Sequence, residues 1–176
     1  MREILFKAKR KDNGEWVEGY LLKKYYQELP HDRFAIQYKT KVAEYEWTPK
    51  YLTTEIDPET ICQYTGLTDK NGNKIWEGDI VHLFGKDTIR SYDWKAVVEF
   101  GNPNGLYSWG YQLKPIGDFE YNEDILCWVG MEETNIYCNV IGNIFDNFFY
   151  DKIRWQKARR EYEENNTKID IQRSQK

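Results

Sequence analysis

Through its first 145 residues the chain repeats one pattern: short runs of alternating apolar and polar side chains, separated by clusters of Gly, Asn, Asp and Pro. A period of two sends successive side chains to opposite faces of a strand, so each run requires a sheet with one buried face. At the start, Ile4, Phe6 and Ala8 alternate with Glu3, Lys7 and Lys9. Asp12-Asn13-Gly14 breaks that run, and Trp16, Val17, Tyr20 and Leu21 follow it. Asn-Gly tolerates the positive φ of a tight turn, so residues 1–22 are expected to form a hairpin. Residues 23–33 are polar and read as a loop. Phe34, Ile36 and Tyr38 define the next strand, over 34–40, with 42–47 as its expected partner. The segment 48–58 is bracketed by Pro49 and Pro58 and reads as a connection into the second half.

Residues 61–81 are dense in turn chemistry. Asn71-Gly72 marks a second tight turn, and Gly78 is expected in a backbone conformation closed to other residues. A strand over 79–84 follows, in which Ile80, His82 and Phe84 alternate with Val81 and Leu83. Apolar on nearly both faces, it belongs inside a sheet. Trp94, Ala96, Val98 and Phe100 form another run, and 101–105 is a loop. Tyr107, Trp109, Tyr111 and Leu113 come next, then an acidic exposed stretch over 115–124, a short apolar strand over 125–129 and a last run over 137–145. Aromatics make up 16% of the chain, from 14 Tyr, 8 Phe and 7 Trp, and rings suit a pleated, half-buried surface. Short strands at this spacing indicate a small antiparallel barrel or sandwich.

The alternation stops at residue 146. Asp146 or Asn147 can cap a helix there, with Phe149, Ile153 and Lys157 on one face and Trp155, Ala158 and Tyr162 on a neighbouring one. Over 151–176 eight Lys or Arg stand against five Asp or Glu. The tail is therefore +3 and the remainder −7, within a net charge of −4.

That balance gives no global field to draw the chain to nucleic acid or an anionic membrane. No apolar run has the length of a bilayer span, and the first residues form no secretory h-region, so a cytoplasmic protein with no membrane partner is expected. Cys62, Cys127 and Cys138 are odd in number and widely spaced. They read as reduced, buried thiols, since no close Cys or His pair exists to chelate zinc with His31 or His82. Ser91, Ser108 and Ser174 lie outside any nucleophile elbow, and no phosphate loop or dinucleotide fingerprint is present. Glu77 and Asp79 flank Gly78 and could share a proton or a divalent ion. Carboxylates beside Gly more often receive backbone N–H groups at a turn, so a structural role is expected for both. His82 is assigned to the core or its rim rather than to general-base work.

One stretch carries a recognisable set of motifs: Asp57-Pro58-Glu59-Thr60, Gln63-Tyr64-Thr65-Gly66-Leu67, Asp69-Lys70-Asn71-Gly72 and Trp76-Glu77-Gly78-Asp79-Ile80-Val81. Val140-Ile141-Gly142-Asn143-Ile144 and the opening Met1-Arg2-Glu3-Ile4-Leu5-Phe6 with Trp16 complete it. Together these resemble the YopX-like family of phage and prophage proteins over roughly residues 1–147. The resemblance implies a phage or prophage origin, an SH3-like barrel after Asp57 with an N-terminal β extension, and self-association. It carries over no active site, because the family has none assigned.

The resulting expectation is a mainly β chain in one structural unit. It comprises an N-terminal β extension over 1–56, an SH3-like small antiparallel barrel over 57–147, and a charged C-terminal α-helix with a mobile tail over 148–176. Its expected role is a non-catalytic accessory module that binds protein or self-assembles, as a homo-oligomer or with a phage or host protein partner. The alternative is a nucleic-acid-associated protein using local basic and aromatic patches, and an enzyme ranks third. The candidate binding surface is Lys23, Lys24 and Tyr25 with Arg154, Trp155, Arg159 and Arg160. No catalytic, cofactor-binding or metal-ligating residue is assigned.

Overall fold

A computed structural model of the chain describes residues 3–24, 33–40, 50–86, 89, 91–102, 109–117, 123–129 and 135–146. Its strands are β1 (Phe6–Lys9), β2 (Trp16–Lys24), β3 (Arg33–Lys39), β4 (Tyr51–Glu55), β5 (Cys62–Thr68), β6 (Lys74–Trp76), β7 (Asp79–Lys86), β8 (Ser91–Gly101), β9 (Gly110–Pro115), β10 (Glu123–Asp124) and β11 (Ile136–Asn143). They form two sheets, ordered β4-β3-β2-β1-β5-β6 and β10-β9-β8-β7-β11. The chain divides into a compact unit of Met1–Ile141 and a second of Gly142–Lys176. In the second, the described residues end in a turn where the Asn143 carbonyl accepts from the Asp146 N–H (3.0 Å).

The first sheet follows from its alternation. Ala8 pairs with Val17 and Leu21 with Ile36, so Phe6, Ala8, Val17, Leu21, Phe34, Ile36 and Tyr38 share one face. Ala8, Ile36 and Ile56 are wholly buried there. The hairpin turn closes on Gly14, at φ 73°. Gly19 answers a different need. A Cβ at this position would stand 2.2 Å from the Gln37 carbonyl oxygen, so β2 crosses β3 at a distance open only to glycine. Ile4, expected on the buried face, is instead 60% exposed.

Two expectations need correction. The segment read as a connection contains β4, which pairs along β3 from Ala35↔Glu55 to Lys39↔Tyr51. Its prolines bracket Tyr51-Leu52-Thr53-Thr54, a run of strand formers, without interrupting it. The partner expected over 42–47 lies outside the described residues. The SH3-like barrel is also not formed. β5 and β6 belong to the first sheet through Phe6↔Gln63 and Lys7↔Cys62, and the chain changes sheet at Glu77-Gly78, with Gly78 at φ 77°. The end of β4 does curl back to β1, where Arg10 bridges Ile56 and the Asp57 N–H donates to the Lys9 carbonyl (2.8 Å). A single bridge is not a ladder, so the first sheet is curled and open. No pairing joins β10 to β11 among the described residues, so the second is open too.

In the second sheet Val81, Leu83, Ala96, Val98 and Leu113 face a core completed by Ile75 of β6, Ile125, Val129 and Cys138. β7 lies between β8 and β11, as its two apolar faces suggested. The short strand expected over 125–129 is a 3-10 turn, Ile125–Cys127, because the Asp124 carboxylate caps it by accepting the Leu126 N–H. The C-terminal helix expected over 148–176 lies outside the described residues. No helix among the described residues is long and apolar enough to cross a membrane.

Candidate functional site

The motifs of the 57–81 block fasten β1 and β11 to the middle of the chain. Asp57 caps the 3-10 turn Pro58–Thr60 by accepting from the Glu59 N–H, and Thr60 Oγ1 accepts from the Lys9 N–H of β1 (2.9 Å). Asp69 Oδ1 accepts from the N–H groups of Asn71 and Asn73, while Oδ2 accepts from Asn73 Nδ2 and from the Val140 N–H of β11 (3.2 Å). Burial opposes the charge of Asp69. These donors outweigh burial and hold the carboxyl below its ordinary range. Asp79, 1% exposed, accepts from Lys7 Nζ of β1 (2.7 Å) and from the Trp76 N–H (2.8 Å). The Lys7 ammonium also sits 4.9 Å from the Trp16 ring centre and 5.5 Å from that of Trp76.

Asp79 is therefore engaged by an ammonium and a backbone N–H, as the turn reading expected. Burial pushes the Glu77 carboxyl up, against the backbone N–H groups of Gln63 and Phe100 that bond it. His82 lies half-buried on the rim, with Nε2 2.7 Å from Asp93 Oδ1 and its ring against Phe84. The cysteines are not brought together: Cys62 packs with Leu5 and Trp76, Cys138 lies in the second-sheet core, and Cys127 is exposed, contrary to expectation. Burial, then the charge of Asp69, pushes the Cys138 thiol up to about 12. Burial with Asp124 and Glu123 raises that of Cys127. Among the described residues no cluster of three or more His, Cys, Asp or Glu could hold a metal ion.

Of the candidate binding surface named from the sequence, Lys23 is the member whose side chain is described. Its ammonium lies 5.7 Å from the Phe34 ring centre, on the sheet face that carries Phe34. Lys24 ends β2, and Tyr25, Arg154, Trp155, Arg159 and Arg160 lie outside the described residues.

The opposite face of the first sheet holds what the sequence reading missed. A groove of about 530 Å³ is lined by Trp16, Glu18 and Tyr20 of β2, Gln37 and Lys39 of β3, Tyr51 of β4 and Lys74 of β6. Glu3, Leu5, Arg10 and Glu15 contribute from beside the strands. The volume suits a small ligand or a few peptide side chains. Register explains the grouping, since Tyr20 pairs with Gln37 and Lys39 with Tyr51. Tyr20 and Tyr51 are 48% and 50% exposed. The signal available in sequence was the polar parity of β2 and β3, but no residue pattern told which strands would stand side by side.

Two antiparallel β sheets, a block of turn carboxylates bonded within the fold and an aromatic groove on the first sheet make the described residues a mainly β protein. The family described as YopX protein matches residues 5–148, and the chain belongs to that family. No curated protein matches it.

Proposed function

We propose that this chain is a non-catalytic protein-binding module, working in the cytoplasm of a host cell within a phage or prophage programme. The groove on the first sheet carries the reading. Its lining joins the exposed Tyr20 and Tyr51 rings and the half-buried Trp16 to three cations, Arg10, Lys39 and Lys74, and three anions, Glu3, Glu15 and Glu18. Aromatic anchors within a mixed polar rim suit protein surfaces. A charge-balanced groove has no excess of cations to neutralise successive phosphates, which weighs against the nucleic-acid alternative. The turn carboxylates Asp69 and Asp79 are engaged by the fold's own N–H groups and ammonium, which weighs against acid–base chemistry.

The test is site-specific cross-linking in expressing host cells. A photoreactive residue replaces Tyr51, and a control replaces Leu126, which is 61% exposed and does not line the groove. The expected result is a discrete protein adduct at Tyr51 and none at Leu126. The same adducts at both positions, or nucleic acid as the species captured at Tyr51, would overturn the reading.

A further inference from the structure

Resting on the reading of the groove as a protein-binding surface, we propose that Lys39, Tyr51, Tyr20 and Gln37 form a subsite for an acidic side chain of an extended peptide. Arg10 is held by Asp12 through Nε (3.0 Å) and NH2 (2.6 Å), and Lys74 by Glu18 (2.8 Å). Those two cations are satisfied within the chain. Among the described residues the Lys39 ammonium makes no ion pair or hydrogen bond, and the side chains of Tyr20, Gln37 and Tyr51 make none either.

These four groups are neighbours by register. Tyr20 stands directly opposite Gln37 and Tyr51 directly opposite Lys39, while Gln37 and Lys39 are two residues apart on the same face of β3. An ammonium, two phenols and a carboxamide can all donate, and a carboxylate offers two oxygens that accept several donors at once. Strand pairing fixes the backbone positions of these residues side by side before a ligand arrives, so binding orders side chains alone. The surrounding anions limit the ligand. The Glu15 carboxylate is tied back to Asn13 Nδ2 (2.8 Å) and Glu18 to Lys74, and Glu3 is the third anion of the lining. A single acidic residue beside aromatic ones satisfies Lys39, whereas a run of phosphates would meet these carboxylates.

Fluorescence polarisation tests this with two labelled peptides, Gly-Tyr-Thr-Tyr-Glu-Tyr-Gly and its Gln-for-Glu isostere. A charge-assisted hydrogen bond predicts about five- to tenfold tighter binding of the acidic peptide. Lys39→Gln should abolish that preference and Lys39→Arg should keep it, the second variant separating lost charge from lost folding. Equal binding of both peptides to the unaltered protein, or a preference that survives Lys39→Gln, would overturn the subsite. If neither peptide binds while cross-linking at Tyr51 still captures a protein, the acidic subsite falls and the protein-binding reading stands. If both assays fail, both fall.

Discussion

In the 57–81 block, Asp57, Asp69 and Asp79 turn their carboxylates onto the fold's own backbone N–H groups and Lys7, and Asp69 and Asp79 are buried. On the groove face, Tyr20, Gln37, Lys39 and Tyr51 turn comparable polar groups outward, to no partner among the described residues. Both regions are rich in aromatic and charged residues, and both gather strands from distant parts of the chain. They differ in where hydrogen-bonding capacity goes. A buried carboxylate without donors is costly, so the block must satisfy its own. Exposed groups are satisfied by water and stay available to a ligand. The most recognisable motifs thus mark the fold, and recognition is to be sought on a surface whose sequence is unremarkable.

The sharpest way to break this contrast is at Asp79. Asp79→Ala leaves the Lys7 ammonium, 16% exposed, without its ion partner and removes the acceptor of the Trp76 N–H. A loss of about 3 kcal/mol is expected from breaking a buried ion pair, read as a lower urea midpoint. A loss no larger than that of a surface substitution would remove the block's role as a fastening.

Much of this division was legible beforehand. The faces of β1 and β3 came from alternation, the turns from Gly14, Gly72 and Gly78, and the structural reading of Glu77 and Asp79 from their place beside Gly78. Strand partners were not legible. A run of alternating residues fixes which side is buried but not which strand lies alongside, so β5 and β6 were placed in a barrel with β7 when β5 pairs with β1 and β6 with β5. The same gap hid the groove, because Tyr20, Gln37, Lys39 and Tyr51 meet through pairings between three strands. β4 was hidden by its flanking prolines, and the turn at Ile125 by the apolar look of a segment that Asp124 caps.

A smaller effect separates two carboxylates within the block. Asp69 has its carboxyl held below its ordinary 3.8, so its stabilisation is present above that pH and fades as pH falls through the folded value. Glu77 is raised above its ordinary 4.5, so its neutral form favours the fold below that pH, and the gain is lost as pH rises through the folded value. Asp69→Asn should therefore be less stable than the parent at neutral pH and approach it in acid. Glu77→Gln should match the parent in acid and exceed it at neutral pH. Denaturation midpoints from about pH 3 to about pH 7 distinguish the two, and parallel profiles for both variants would contradict the assignment.

The smallest effect on stability carries the most weight. The double variant Lys39→Gln, Tyr51→Phe removes two outward polar groups from the groove and no hydrogen bond formed among the described residues. Its urea midpoint tests directly whether the groove is maintained for something other than the fold. The expected change is within about 0.5 kcal/mol, the range of ordinary surface substitutions. A loss approaching that of Asp79→Ala would show that the groove side chains belong to the same fastening as the block, and would contradict the account.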